Sequence, residues 1–378
     1  MSMTSSFHPT FATVDLTALI HNLFQIRKWL APGCLIMPVI KANAYGHGAN
    51  EIAQALIQQG VSHLAVFSIE EAMALRRAGV TVSIVVLGPF FPQQIEDLFA
   101  YRLTPVVSDR SMLEVLGQAT RSQPVPYPIH LKIETGMNRL GLTQHELEIL
   151  LSKHTVPSSL QLEGLMSHLA DSDGDEQDVT EEQVARFNRA LNAVRAAGLD
   201  IPLIHMSNSG GIIRFPSAHY TMVRPGIMLY GYHTLPNTVP VPDLQPVLSL
   251  KTSIAQLRLI QPGGRVSYNG TFIAVKSTRV AILPIGYADG LSRRLSNRGV
   301  VLVRGQRVPI IGLVCMDMVM VDVTTIPDVM VGDEVVIVGQ QDQEKITAKD
   351  IAEWTGTIPY EVLCSIAPRV PRRYHVSS

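Results

Sequence analysis

Eight short runs rich in Val, Ile and Leu recur along the first two-thirds of the chain, each ending in polar or glycine residues and separated from the next by a helix-length stretch. They fall near 35–40, 63–66, 83–87, 104–107, 128–133, 160–166, 203–205 and 221–223. Strand-like runs alternating with helical periods are the pattern of βα units around a parallel sheet. A count of eight predicts an α/β fold, an N-terminal (β/α)8 TIM-type barrel. A doubly wound sheet is the alternative, but it gives no reason for the count to stop there. Local signals agree: Ser68 with Glu71 three residues on forms a capping box before a helical run, and Gly79 stops it.

The texture changes after residue 232. The stretch 233–246 carries Pro236, Pro240, Pro242 and Pro246 with no helical period, which reads as a boundary. Beyond it, runs at 247–259, 279–285, 299–303, 308–313, 319–323 and 334–338 are rich in Val and Ile with glycine turns. A mainly β C-terminal domain over 241–378 is expected after a barrel over 11–240, with short helices near 348–354 and 360–365.

With 46% hydrophobic and 17% charged residues, the 378-residue chain has the composition of a compact enzyme-sized protein. Lys plus Arg (31) balances Asp plus Glu (32), so no broad basic surface for nucleic acid is expected. No apolar run is long enough to span a bilayer, and the first residues lack a cationic stretch followed by an apolar one. The expected setting is cytoplasmic, without membrane contact. Cys34, Cys315 and Cys364 are far apart and show no C-x-x-C spacing, which argues against disulfides and zinc. The acidic run Asp171, Asp173, Asp175 with Glu182 imitates a calcium loop, but its sixth position is Glu176 rather than glycine. No metal site is expected. The pairs Glu70-Glu71 and Arg76-Arg77 read as solvated helix faces.

In a barrel, chemistry gathers where strands end and βα loops begin. Polar outliers fall at five such places: Lys41, Asn138-Arg139, Ser167-His168, His205 and Arg224. Lys41 follows a buried-strand pattern, and partial desolvation there lowers an ammonium pKa and frees an amine for Schiff-base or proton-transfer chemistry. The loops after the seventh and eighth strands, where barrels commonly bind phosphate, read Ser207-Asn208-Ser209-Gly210-Gly211 and Arg224-Pro225-Gly226-Ile227. Ser209 is placed to cap a helix facing an anion. Phosphate loops beside such a lysine suggest pyridoxal 5′-phosphate (PLP).

Several motifs together identify a family. They are Val39-Ile40-Lys41-Ala42-Asn43-Ala44-Tyr45-Gly46-His47-Gly48, Lys132 through Gly141, Ser167-His168, His205-Met206-Ser207-Asn208-Ser209, Val223 through Gly231, Val266-Ser267-Tyr268-Asn269-Gly270, Gly286-Tyr287-Ala288-Asp289-Gly290, Cys315-Met316-Asp317 and Pro359-Tyr360-Glu361. In this order, over nearly the whole chain, they resemble the alanine racemase family of fold-type III PLP enzymes. The resemblance implies a homodimer with shared active sites, in which roughly residues 1–10 belong with the β domain.

By the same resemblance, Lys41 carries the cofactor and is the base for the D-enantiomer, while Tyr268 reaches in from the other subunit to serve the L-enantiomer. Arg224 faces the cofactor's pyridine nitrogen, with His168 and His205 beside it and His168 linking it to Tyr268. Tyr45, Asn208, Ser209, Gly226, Ile227 and Tyr360 hold the phosphate end. Arg139 pairs with the substrate carboxylate or the cofactor's phenolic oxygen, helped by the backbone N–H of Met316, and Asp317 supports that loop. Lys132 stands at the spacing of a lysine that carries a carbamate; a lysine salt-bridged to a carboxylate is the alternative. Glu134 stands where the family more often has aspartate, Ser167 where threonine is frequent, and Met318 where a polar residue is commoner.

The implied activity is PLP-dependent interconversion of L- and D-alanine, supplying D-alanine for peptidoglycan. The alternatives are a racemase of serine or of broad range, an amino-acid decarboxylase of the same fold, and a non-catalytic PLP carrier. A decarboxylase would want a carboxylate at the pyridine nitrogen, where this chain offers Arg224. A carrier needs no second base.

Overall fold

The structure, a computed structural model, describes residues 8–152, 156–174, 176–236 and 238–376. Its first nine strands are β1 (Phe11–Asp15), β2 (Leu35–Ile36), β3 (His63–Val66), β4 (Ser83–Val86), β5 (Thr104–Val107), β6 (Tyr127–Lys132), β7 (Leu160–Met166), β8 (Leu203–His205) and β9 (Met222–Val223). Leu64–Val66, Ile84–Val86 and all of β5 are buried without alternation, as expected of strands covered on both faces of a parallel sheet. The eight strands β2–β9 form that sheet in the order β2-β9-β8-β7-β6-β5-β4-β3, and every pairing is parallel. A bridge between Val39 and Ala65 brings the first strand against β3 and closes the ring. The barrel is therefore the (β/α)8 architecture expected.

The first barrel strand is shorter than the expected run over 35–40. Its regular ladder is confined to Leu35–Ile36 because Pro38 has no N–H to donate. The chain nevertheless stays in register, with Met37 N–H donating to Val223 O at 2.9 Å and Ile40 N–H to Ala65 O at 2.8 Å. The Ser68 capping box is formed, and Gly79 follows the helix Ile69–Arg77 in the left-handed region at φ +86°.

The start of the barrel also differs from expectation. β1 alternates buried Ala12 and Val14 with less buried neighbours, the period of a sheet covered mainly on one face. It pairs antiparallel with Leu248–Ser253 and parallel with Arg372–His375, inside a sheet that continues through Glu334–Gln341, Val300–Val303 and Gln306–Pro309. Residues 11–15 thus sit among the C-terminal strands, and Asp15 caps the first barrel helix, Leu16–Lys28, by accepting from Thr17 N–H at 2.8 Å. Of the expected N-terminal segment, residues 1–7 lie outside the described residues. A second sheet of Gln256–Ile260, Thr278–Leu283 and Val319–Asp322, with a hairpin of Arg265–Val266 and Phe272–Ile273, completes the mainly β region.

Candidate active site

At the carboxyl ends of the barrel strands lies a cavity of about 480 Å³, lined by Lys41, Tyr45, Lys132, Arg139, His168 and Arg224 among others. Lys41 opens a short turn in which Ala42, Asn43, Ala44 and Tyr45 all adopt φ of 52–53°. A run of four left-handed non-glycine residues costs of the order of 1–2 kcal/mol each, and the surroundings hold it. Glu71 accepts the Ala42 N–H at 2.6 Å, Asn43 Oδ1 accepts from Ala49 N–H at 2.9 Å, and His47 Nδ1 lies 3.0 and 2.9 Å from the carbonyls of Ala44 and Tyr45. Burial lowers the Lys41 pKa, Arg139 lowers it further, and Glu71 and Cys364 oppose.

Tyr45 is buried and stacks near Tyr230 and Tyr360, with ring centroids 4.9 and 5.8 Å away. Two glycines permit this crowding. A Cβ on Gly46 would sit 2.3 Å from Leu363 O, so only glycine lets the helix Pro359–Cys364 bring Tyr360 to the cavity; a Cβ on Gly226 would sit 2.5 Å from the Tyr45 hydroxyl. Ser209 Oγ accepts from the N–H groups of Gly226 (3.0 Å) and Met228 (3.4 Å). The helix cap is Asn208 rather than Ser209: Asn208 Oδ1 accepts from Gly211 N–H at 2.9 Å, which leaves the Ser209 hydroxyl to organise the neighbouring loop. Asn208, Ser209, Gly226, Ile227 and Tyr360 all line the cavity.

Arg224 is 3% exposed, with acceptors gathered around its two terminal nitrogens. One arm meets His205 Nδ1 at 2.7 Å; the other donates to Ser167 O at 2.6 Å and Met206 O at 3.0 Å and lies 3.1 Å from His168 Nδ1. Burial pushes its pKa down to about 9, which still leaves it cationic at neutral pH. Burial, reinforced by the Arg224 charge, holds both His168 and His205 well below the ordinary histidine value, so both rings are neutral. His205 does not line the cavity; it stands behind Arg224.

At the other end, Glu134 accepts from the backbone N–H groups of Gly136 (2.5 Å) and Arg139 (3.4 Å), shaping the loop that presents Arg139 to the cavity. The glutamate found where aspartate is commoner therefore has a backbone role. Lys132 is 6% exposed, and burial, with Arg224 and Arg139, pushes its pKa down to about 8.

Tyr268, Met316 and Asp317 do not line this cavity. Tyr268 is 69% exposed, displayed between Ser267 (φ 65°) and Asn269 (φ 59°). Ser267 Oγ donates to Leu313 O at 2.7 Å, tying the Tyr268 turn to the segment that carries exposed Met316 and Met318. Asp317 is engaged with Arg369 at 2.7 Å, and Arg369 also holds Asp289 at 2.7 Å, so the carboxylate pins the loop.

Two readings of helix faces are corrected. Glu71 is not simply solvated, since its carboxylate clamps the turn after Lys41 while also closing the capping box. Arg76 donates to the carbonyls of Tyr101, Val80, Val82 and Arg102, joining neighbouring βα units. His130 and Glu163, behind His205 and outside the cavity lining, are further buried polar groups that the sequence reading passed over. The available signal was His130 sharing an inward strand face with Lys132, two residues on.

The match to known proteins extends over both regions. Residues 14–234 match the alanine racemase N-terminal domain and residues 247–374 the alanine racemase C-terminal domain. The chain belongs to the alanine racemase family. The alanine racemase of Halothermothrix orenii is 44% identical over 366 residues, which cover 97% of each chain. Among solved structures, the alanine racemase of Clostridium difficile 630 superposes with a TM-score of 0.92 at 33% identity, covering 98% of this chain and 96% of that one. The alanine racemase of Bartonella henselae, solved with covalently bound pyridoxal phosphate, superposes at 0.88 with 31% identity, over 98% of this chain and all (100%) of the other. The family's cofactor suits the donor set here: a depressed lysine, a buried guanidinium, and a serine-, tyrosine- and glycine-lined pocket in which a Cβ at position 226 would collide with Tyr45.

Proposed function

We infer that this cavity interconverts L-alanine and D-alanine on PLP by a two-base mechanism. The observation that carries the reading is one cavity that brings half-buried Lys41 together with Arg224 and the Ser209–Gly226 pocket, a burial that lowers the lysine pKa. PLP, when bound, supplies an aldehyde that holds the amino acid and a conjugated ring that accepts the electron pair of the broken Cα–H bond. Tyr45, Asn208, Ser209, Gly226, Ile227 and Tyr360 would hold its phosphate, Lys41 its aldehyde carbon, and Arg224 its ring nitrogen. A guanidinium donates and has no acceptor, so Arg224 leaves that nitrogen unprotonated and moderates the electron sink. Arg139 binds the carboxylate of the amino acid.

Lys41 Nζ takes or returns a proton on one face of the substrate carbon. Inversion requires a second group on the opposite face. Tyr268 is that group in this reading, supplied by a partner subunit, because in its own subunit it points into solvent together with exposed Met316, Met318, Ile273 and Tyr287. An apolar patch of this kind favours a subunit interface, hence a homodimer with shared sites and the partner subunit's Met316 near Arg139. The biological output would be D-alanine for peptidoglycan. Three free thiols, Cys34, Cys315 and Cys364, suit a reducing cytoplasm.

Absorbance of the bound cofactor and polarimetry with L-alanine test the reading. Wild type shows a visible cofactor band and rotation decaying to zero; Lys41→Ala loses both. A band with no change in rotation would leave the carrier or decarboxylase reading in place of this one.

We propose Lys132 as a carbamate site, with a plain lysine salt-bridged to a carboxylate as the alternative. Its pKa of about 8 leaves about a tenth of the amine free at neutral pH, and the nearby charges of Arg224, Arg139 and Lys41 disfavour a further cation while Glu134 favours it. Protein equilibrated with 13C-bicarbonate is expected to give a carbamate carbon resonance that Lys132→Ala lacks. A spectrum without that resonance in the wild type would return Lys132 to a plain lysine.

A further inference from the structure

Behind the cavity, a row of polar side chains crosses the barrel core. Arg224 Nη1 meets His205 Nδ1 at 2.7 Å, His205 Nε2 lies 2.8 Å from His130 Nδ1, and His130 Nε2 lies 3.5 Å from Glu163 Oε2. Both imidazoles are fully buried, and among the described residues neither His130 Nε2 nor Glu163 Oε2 has a hydrogen-bond partner, so each faces the other at ion-pair distance with nothing else to satisfy it. The row has been given room: Gly164, paired with His130 across β6 and β7, carries no side chain, and a Cβ there would sit 2.5 Å from the His130 ring. His63, at the start of β3, is the other titratable group whose charge reaches Glu163 and His130.

Elementary donor bookkeeping fixes the direction of the row. Arginine has no acceptor, so His205 Nδ1 must accept. A neutral His205 then carries its proton on Nε2 and gives it to His130 Nδ1. A neutral His130 is left with its proton on Nε2, aimed at the Glu163 carboxylate. Burial depresses both histidines, which keeps each ring neutral and the order unique.

We propose that Glu163 is a remote positioning residue for Arg224, its carboxylate facing the terminal N–H of the His205–His130 row so that the guanidinium is oriented and electrostatically balanced from behind. The proposal deepens, and rests on, the reading that Arg224 faces the cofactor. Glu163 touches neither substrate nor cofactor. Its effect is carried by two imidazoles whose proton positions Arg224 fixes from one end and the Glu163 carboxylate stabilises from the other, and low local dielectric strengthens such a row.

The test uses PLP-loaded enzyme. Two-bond 15N–1H spectra of histidine-labelled protein are expected to place the proton of both His130 and His205 on Nε2; a proton on Nδ1 of either ring, or on both nitrogens, overturns the proposal. Glu163→Gln keeps an acceptor oxygen and Glu163→Leu removes it. The leucine variant is expected to lower kcat about tenfold with KM for alanine unchanged and to shift the cofactor band, while glutamine restores most of kcat and the band. A folded leucine variant with wild-type kcat and band overturns the proposal. Arg224→Lys separates the two levels. If it moves the band and kcat while Glu163→Leu does not, the row fails alone; if Arg224→Lys leaves both unchanged, the placement of Arg224 against the cofactor fails as well.

Discussion

Subunits carrying Lys41→Ala, mixed with subunits carrying Tyr268→Phe and allowed to reassociate at random, recover about a quarter of wild-type racemisation. Each variant alone is expected to lose at least about 100-fold, the usual weight of a positioned acid–base group. The recovery follows from where the structure puts the two groups. Lys41 lines the barrel cavity, whereas Tyr268 is 69% exposed on the β region of the same chain and absent from that lining. In a mixed dimer, one site has lost both groups and the other has an intact lysine from one chain and an intact tyrosine from its partner. Half of random dimers are mixed, and one of two sites works in each. Recovery that remains at the level of the separate variants would mean that both groups serve the same subunit, and the shared-site reading would be abandoned.

The second large effect is on stability in acid. His47, His130 and His205 are 0% exposed, and burial lowers all three pKa values, that of His47 to about 4. An unfolded histidine titrates near 6.5, so between pH 6.5 and 4 the unfolded chain binds more protons than the folded one. Stability is therefore complete above about pH 6.5 and lost as pH falls towards the folded values. Each such group contributes a slope of about 1.4 kcal/mol per pH unit, and His47 alone accounts for about 3 kcal/mol across its window. Urea unfolding followed by circular dichroism at pH 7.5, 6, 5 and 4.5, in excess PLP, reads this directly. His47→Asn is expected to be less stable at pH 7.5 and to have a slope lower by about 1.4 kcal/mol per unit below pH 6. An unchanged slope in that variant would show that His47 is not the neutral buried ring described.

The eight strands were legible because a parallel barrel buries its strands on both faces and so writes them as compact runs of Val, Ile and Leu. The boundary near residue 11 was not, because Ala12 and Val14 show one-face alternation only against partners more than 230 residues away in the chain. Lys41, Arg224 and the loops at 207–211 and 224–227, which the structure gathers around one cavity, could be singled out from motifs at strand ends. Glu71 could not: a glutamate in the first turn of a helix has an ordinary electrostatic reason to be there, and its grip on Ala42 depends on a left-handed turn that carries no glycine until Gly46. His130 and Glu163 were hidden for another reason. Each lies mid-strand, where polar residues carry no turn or motif signal, and their partnership is created by register across two strands.

The position of β1 between Leu248–Ser253 and Arg372–His375 sets a timetable for synthesis. Translation delivers Phe11–Asp15 well ahead of both partners: its inner partner emerges more than 200 residues later and its outer partner more than 350. At about 5–20 residues per second, the strand waits roughly ten to fifty seconds for Leu248. Emergence of Arg372–His375, rather than completion of the barrel, is the moment at which Phe11–Asp15 is locked on its second side.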